Sequence, residues 1–247
     1  MPTLMLRETL ISFDSRVEEY VVPKHIKNVA DRCFSERWEM ERLTLPEELE
    51  TLGSYAFRKC INLRQIDMPT HVDSLGKGLF LECRKLHAIS IPDGAKEIDF
   101  EMFQRCDALH EITLPESVET IHPSAFTTCD QLEYLFVSPA VFALLPSSVQ
   151  GVAVLSYMGK PDFYPSAVFD SFAEVHGDEL MKQAISRRDV PAIRYMLQKE
   201  FIPRKLIPNY LEEANRRKQT EVAAVLLEYQ QENPEKDAFD WDPFAGL

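Results

Sequence analysis

The chain has 247 residues, 45% of them hydrophobic and 27% charged, the composition of a globular protein with room for a substantial core. Its net charge of −13 argues against electrostatic binding to nucleic acid or to an anionic membrane surface. A membrane-spanning helix is also argued against, because the longest uncharged stretch, Tyr134 to Gly159, is broken by Pro139, Pro146, Ser147, Ser148 and Gln150.

At the start of the chain, MPTLMLRETLISF lacks a basic leader ahead of an unbroken apolar core, and Arg7 and Glu8 interrupt it. It does not read as a secretory signal, so a cytoplasmic location is expected. Beyond it the chain repeats. Proline falls at Pro23, Pro46, Pro69, Pro92 and Pro115, and phenylalanine at Phe34, Phe57, Phe80, Phe103 and Phe126. Cysteine falls at Cys60, Cys83, Cys106 and Cys129. Three unlike residue types in one register with a 23-residue step signal a stacked solenoid.

Within each unit, Ile66 and Met68 alternate around Asp67, which predicts a short strand with one buried face. Proline, lacking a donor, then ends the ladder. A second short extended piece is expected around Leu75, and the Ala-Phe stretch, as in SYAFRK, suits a single helical or 3₁₀ turn. One unit buries too little to fold alone. Each copy must cover the one before it.

These features resemble the leucine-rich repeats of the BspA type. The residues that carry the resemblance are Ile112-Thr-Leu114-Pro115, the pair Val118 and Ile121, and Ala125-Phe126 with Cys129. It covers about residues 4–138 and gives residues 1–138 as a repeat domain. LISFDSRVEEYVVP looks like the hairpin that caps such arrays. The first copy departs from the pattern, with Cys33 where alanine is expected and Arg37 in place of the ladder cysteine. The resemblance implies a bacterial protein, from a group whose members are often secreted or cell-surface binders of other proteins.

After Val137 the period stops. Helices are expected over Pro139–Leu145, Val149–Met158 and Pro165–His176. Two segments then align with an offset of 30, placing Ala184 on Ala214, Arg187 on Arg217 and Met196-Leu197 on Leu226-Leu227. Both read as helix, tight turn, helix. Residues 139–232 therefore look like an all-α, ankyrin-like domain, although the usual Thr-Pro-Leu-His signature is missing. Residues 233–247 form an acidic tail carrying Phe239, Trp241 and Phe244. That tail is either disordered, laid back on the helical domain, or a docking motif.

Candidate chemistry is sparse. The cysteine spacing is not a zinc pattern and no C-x-x-C occurs, so the ladder cysteines read as buried structural thiols stacked about 4.8 Å apart. His87 and His110 take equivalent outward positions on neighbouring strands, with Arg64 before them and Glu133 after. The column reads as a polar face and no metal is expected. There is no G-x-S-x-G, no phosphate-cradling glycine loop and no H-E-x-x-H. No cofactor is implied, and the chain is not expected to be an enzyme. Arg187 and Arg188, then Arg216, Arg217 and Lys218, stand at matching turns, either as solvated helix ends or as a basic patch.

Together these features point to a protein-interaction module: an α/β leucine-rich repeat solenoid followed by ankyrin-like helices, with no nucleic-acid or membrane partner. An exported adhesin or effector is the alternative reading, and an enzyme the third. The outward strand positions are free of packing constraints, so partner choice is expected there. The candidate contacts are Arg42, Arg64, Asp67, His87, His110 and Glu111 on the strands. Arg187, Arg188, Arg216 and Arg217 are the candidates on the helices. The strand face alone is too small for a standard interface of about 800 Å² per partner, so contact with both regions is expected.

Overall fold

The computed structural model describes residues 3–159 and 167–233. They form two compact units that divide between Ser156 and Tyr157.

The first unit is a solenoid. An antiparallel hairpin opens it, β1 (Leu4–Leu6) with β2 (Thr9–Ser12). The strands that follow alternate between two walls. β3 (Glu19–Val21), β5 (Arg42–Thr44), β7 (Gln65–Asp67), β9 (Ala88–Ser90), β11 (Glu111–Thr113) and β13 (Tyr134–Phe136) form the first wall. β4 (Asn28–Val29), β6 (Thr51–Leu52), β8 (Ser74–Leu75), β10 (Glu97–Ile98) and β12 (Thr120–Ile121) form the second. Pairing is parallel within each wall, and Leu43 meets Ile66 as Ile112 meets Leu135.

The hairpin lies earlier than LISFDSRVEEYVVP suggested. β2 pairs with β4 and β1 closes that wall's edge, while Glu19–Val21 is the first strand of the other wall. Apolar alternation is the same in a hairpin and in a rung, so it does not tell the two apart.

The interior is written in columns. Leu43, Ile66, Ile89, Ile112 and Leu135 are buried from the first wall, and Leu10, Val29, Leu52 and Ile98 from the second. Between the walls runs a stack of rings. Phe34, Phe57, Phe80, Phe103 and Phe126 follow one another at centroid separations of 5.7, 5.6, 6.2 and 5.8 Å. Phe13 and Tyr20 finish the stack at its first end, with Phe13 5.0 Å from Phe34 and 4.3 Å from Tyr20.

The Ala-Phe stretches are hydrogen-bonded turns, not the helical or 3₁₀ turn expected. Each holds residues at positive φ, at Arg32, Tyr55 and Gly78 and again at Glu36, Lys59, Glu82, Arg105 and Thr128. The left-handed residue swings its N–H along the solenoid axis. Lys59 N–H thus donates to Leu81 O at 2.7 Å, and Glu82 N–H to Gln104 O at 2.8 Å. Bonds between rungs alternate with bonds within the turn, such as Arg58 N–H to Tyr55 O at 3.1 Å, so the unbroken series of bonds that would have made a helix does not form.

Both walls are interrupted at the same level. β3-β5-β7 and β9-β11-β13 are separate three-stranded sheets, and β8 and β10 are likewise unpaired. The six strands of the first wall therefore do not form one continuous sheet. An isolated bridge between His71 and Asp93 crosses the gap.

Helices α1 (Pro139–Phe142) and α2 (Ser147–Met158) follow the last strand, and the first compact unit extends through them to Ser156. The sequence reading assigned them to the helical domain. One bond shows why they belong here. The buried Ser156 Oγ accepts from Leu135 N–H at 2.8 Å and donates to Val152 O at 2.7 Å, capping a strand that has no next rung.

The second unit contains α3 (Ala167–Arg187), α4 (Val190–Gln198), a 3₁₀ turn at Arg204–Leu206, α5 (Ile207–Arg216) and α6 (Thr220–Glu232). The helix expected to end at His176 does leave helical geometry there (φ −110°, ψ 16°), and a second helical segment of α3 runs on to Arg187 after this kink. Gly177 beside that bend is required by a close approach, since a Cβ there would lie 2.5 Å from Phe201 O. The two helical pairs turn through Arg188 (φ 58°) and Lys218 (φ 57°), which stand 30 positions apart. The tail aromatics Phe239, Trp241 and Phe244 lie outside the described residues.

Candidate functional site

The first wall's outward side chains follow from strand alternation. Because Leu43, Ile66, Ile89, Ile112 and Leu135 point inward, their neighbours on either side point out. Arg42 on β5 and Arg64 just before β7 are exposed, as is Asp67 at the end of β7. His87, just before β9, is exposed, while His110 and Glu111 at β11 are half-buried.

The parallel register turns these residues into rows across the strands. Arg64 Nε lies 3.5 Å from Glu41 Oε2, and Asp67 Oδ2 accepts from Thr44 Oγ1 at 3.0 Å. Farther along, His87 and His110 stack with centroids 5.1 Å apart and planes 7° apart. His110 meets Tyr134 edge-on at 5.2 Å, and Tyr134 stacks on Phe136 at 6.2 Å. His110 Nε2 lies 3.6 Å from Glu133 Oε2. The interruption between β7 and β9 thus separates two chemistries. Charged pairs occupy the β3-β5-β7 half, and rings flanked by carboxylates occupy the β9-β11-β13 half.

Tyr134, Phe136 and Glu133 share this face, although sequence reasoning did not count them among the candidate contacts. Their ring contacts with His110 join them to it. The available signal was the 23-residue step, which puts Glu133 in the column of His87 and His110.

A second cluster lies at the interruption. Asp99 is buried, 4% exposed, where the equivalent positions in other copies hold Ala30, Gly53, Gly76 and His122. Its carboxylate accepts from Gly78 N–H at 2.8 Å and from Glu101 N–H at 3.1 Å. Burial pushes the Asp99 carboxyl above the usual carboxylate range, against the two N–H bonds that favour the ion. Tyr55 spans two rungs to donate to Glu101 Oε2 at 2.5 Å. Its ring lies across Gly78, where a Cβ would come within 2.4 Å of Tyr55 Cε1. Each polar group here has a structural partner.

On the helical unit, Arg187 ends α3, Arg188 occupies the left-handed turn, and Arg216 and Arg217 end α5. Arg216 and Arg217 both bond to Glu213, and the two guanidiniums, Arg217 first, hold its carboxyl below the usual range. The basic turn is therefore partly neutralised from within its own helix.

No set of three metal-ligating side chains comes together among the described residues. No helix among them is long and apolar enough to cross a membrane. Open hollows occur among the described residues. One, of about 400 Å³, runs over the second wall beside Asn28, Thr51 and Ser74, and another, of about 420 Å³, lies between Arg194, Leu197 and Tyr229. In the first, Asp31 Oδ1 accepts from Ser54 N–H at 2.7 Å, and Ser54 Oγ accepts from Lys77 N–H at 3.2 Å.

A family model described as BspA type leucine rich repeat region matches residues 12–138 in six copies. No curated protein matches the chain. Among solved structures, a leucine rich cell surface protein from Faecalibacterium prausnitzii A2-165 is similar at 24% identity and TM-score 0.52, over 56% of this chain and 38% of that one. A T. pallidum leucine rich repeat protein is similar at 22% identity and TM-score 0.43, over 52% of this chain and 73% of that one. The pneumococcal vaccine antigen PcpA is similar at 20% identity and TM-score 0.44, over 57% and 43%. The chain thus spans well under two thirds of the Faecalibacterium protein, and that likeness establishes the fold.

Proposed function

The chain belongs to the BspA-type leucine-rich repeat family, and from that premise we propose that it is a non-catalytic module that binds a protein partner through its first wall. The observation that carries this reading is the division of labour within each strand. Inward positions are packed in columns of one chemical type, whereas outward positions change from rung to rung, from Arg64 to His87 and from Gln65 to Glu111. Packing does not require that variety, and recognition does. We read the helical pairs as ankyrin-like, on their 30-residue offset and the left-handed turns at Arg188 and Lys218, and assign Arg187, Arg188, Arg216 and Arg217 to partner contact as well.

The test takes a partner isolated by affinity capture and compares two double variants of the full chain. Arg64→Glu with His110→Glu should weaken binding by about tenfold or more, as loss of central contacts does. Arg187→Glu with Arg217→Glu should weaken it less. Unchanged binding in both, with the fold intact by circular dichroism, would overturn the reading.

A cytoplasmic location accords with five buried, unpaired cysteines. A second reading, export to the cell surface, is favoured by the Faecalibacterium protein's description as a cell surface protein. Fractionation of the native host separates the two, by recovery in the cytosol or at the envelope.

A further inference from the structure

We infer that the outer edge of β3 takes an extended, basic segment of the partner as one more strand of the first wall. This rests on the reading of the chain as a protein-binding module and adds a second contact, at the end of the proposed face. Backbone groups come first. Arg42 N–H donates to Glu18 O and Val22 N–H to Thr44 O, each at 2.9 Å. Alternate residues of a parallel strand bond to one side. The even-numbered residues here therefore serve β5, and the N–H and C=O groups of Glu19 and Val21 face the other way. β3 is the outermost strand of its sheet, and no backbone bond reaches Glu19 or Val21 from that side among the described residues. The hairpin closes the second wall at this end, and Ser156 caps β13 at the far end of the first. Neither device serves β3.

Side chains come second. Tyr20 points inward like Leu43 and Ile66, yet it is half-buried where they are buried, because no rung covers its outer side. Outward-facing Val21 is 68% exposed. A strand laid on this edge would cover both, held by main-chain bonds. Charge selects that strand. Glu18 and Glu19 are exposed and make no ion pair among the described residues, although Arg42 stands beside Glu19 in the register. One rung on, by contrast, Glu41 lies 3.5 Å from Arg64 Nε. A basic residue opposite the free pair is attracted and an acidic one repelled. A second copy of this chain would bring its own Glu18 and Glu19 to the edge, which disfavours self-pairing. The net charge of −13 adds long-range attraction for a basic segment. The edge thus fits a basic residue followed by apolar ones, with free N–H groups.

The test titrates the full, isotope-labelled chain with acetyl-Ser-Arg-Ile-Val-Ser-amide and follows the Glu19 and Val21 amides by NMR. Two counterparts carry glutamate for arginine, or N-methylisoleucine for isoleucine, which removes the central donor. The arginine peptide should give saturable shifts at Glu19 and Val21 and slow their hydrogen exchange. The glutamate peptide should bind about fivefold more weakly or worse, and the N-methylated one should give no saturable shift. Val21→Pro removes an N–H that β5 does not use, and edge strands tolerate proline. The variant should keep its circular dichroism spectrum and lose the arginine peptide. Glu18→Lys with Glu19→Lys, both at exposed positions, should transfer the preference to the glutamate peptide, and this pair decides the matter should the proline variant fail to fold. Absence of shifts, equal binding of the N-methylated peptide, or an unchanged preference after charge reversal overturns the inference. So does slowed exchange at Glu19 and Val21 that grows with protein concentration alone, which would give the edge to a second copy. If the edge fails while the captured partner still depends on Arg64 and His110, the strand assignment falls and the binding face stands. If the partner depends on Val21→Pro but not on Arg64 and His110, the edge stands and the face falls.

Discussion

Cys60, Cys83 and Cys106 have no exposed surface, and each donates its S–H to the carbonyl of the phenylalanine 26 positions earlier, at 3.0 to 3.1 Å. The thiol supplies a small apolar body and one weak donor, which is what a carbonyl inside the turn stack lacks. Burial pushes Cys60 and Cys129 up to about 12 and Cys83 and Cys106 well above the usual thiol value. Native thiols should therefore label slowly at pH 8 and fast in denaturant. Fast labelling of several in the native protein would contradict the buried ladder. The pH dependence follows with a definite sign. A folded thiol keeps its proton above the pH at which the unfolded one, near 8.5, has lost it. Stability should be fully present below that pH and fall as pH rises toward about 12. Denaturant midpoints between pH 8 and 11 should show the fall, and Cys83→Ala with Cys106→Ala should flatten it. Asp99 gives a second expectation at this scale. Asp99→Ala leaves the Gly78 and Glu101 N–H groups without their acceptor, at a cost of about 2 kcal/mol in chemical denaturation.

An element here is a rung, and rungs end where a partner ladder ends. The hairpin closes the second wall with an antiparallel strand, and Phe13 and Tyr20 close the ring stack. At the other end α2 supplies a single hydroxyl to the last strand. Ser156→Ala should cost about 1–3 kcal/mol, because Leu135 N–H would be buried without an acceptor. Leu135 should then be among the amides whose hydrogen exchange accelerates most. An unchanged rate there would mean that α2 packs on the solenoid without capping it.

Over the whole molecule the regular period conceals an irregular stack. β7 and β9 do not pair, nor do β8 and β10, and the ring separation across this level, 6.2 Å between Phe80 and Phe103, is the widest along the phenylalanine column. Asp99 and Tyr55 bridge the level in place of strand bonds. The Ala88 and Ser90 amides, on a strand with no ladder toward β7, should exchange about tenfold or more faster than those of Glu111 and Thr113. Equal protection would show that the two halves of the solenoid open as one.

Legibility in the sequence divides along a physical line. Whatever repeats at every rung could be read without coordinates. The inward columns, the phenylalanine stack, the buried cysteines and the outward placement of Arg64, His87 and His110 all depend on strand alternation and a constant step. The helical pairs were visible for the same reason, through apolar spacing and a fixed offset. What happens once was not visible. Asp99 reads, like His122, as a polar departure from a column begun by Ala30, Gly53 and Gly76 until Gly78 and Glu101 are seen to point their N–H groups at it. Ser156 reads as an ordinary helix serine until Leu135 is found to lack a neighbour. The left-handed turns replaced the expected helical turn because bonds to the next rung outweigh a preference within the segment. The run of rings from His87 to Phe136 exists only because parallel register sets residues 23 positions apart beside one another. Repetition is a property of the chain and can be read along it, whereas partnership between unlike positions is decided by which groups folding leaves unsatisfied and close together.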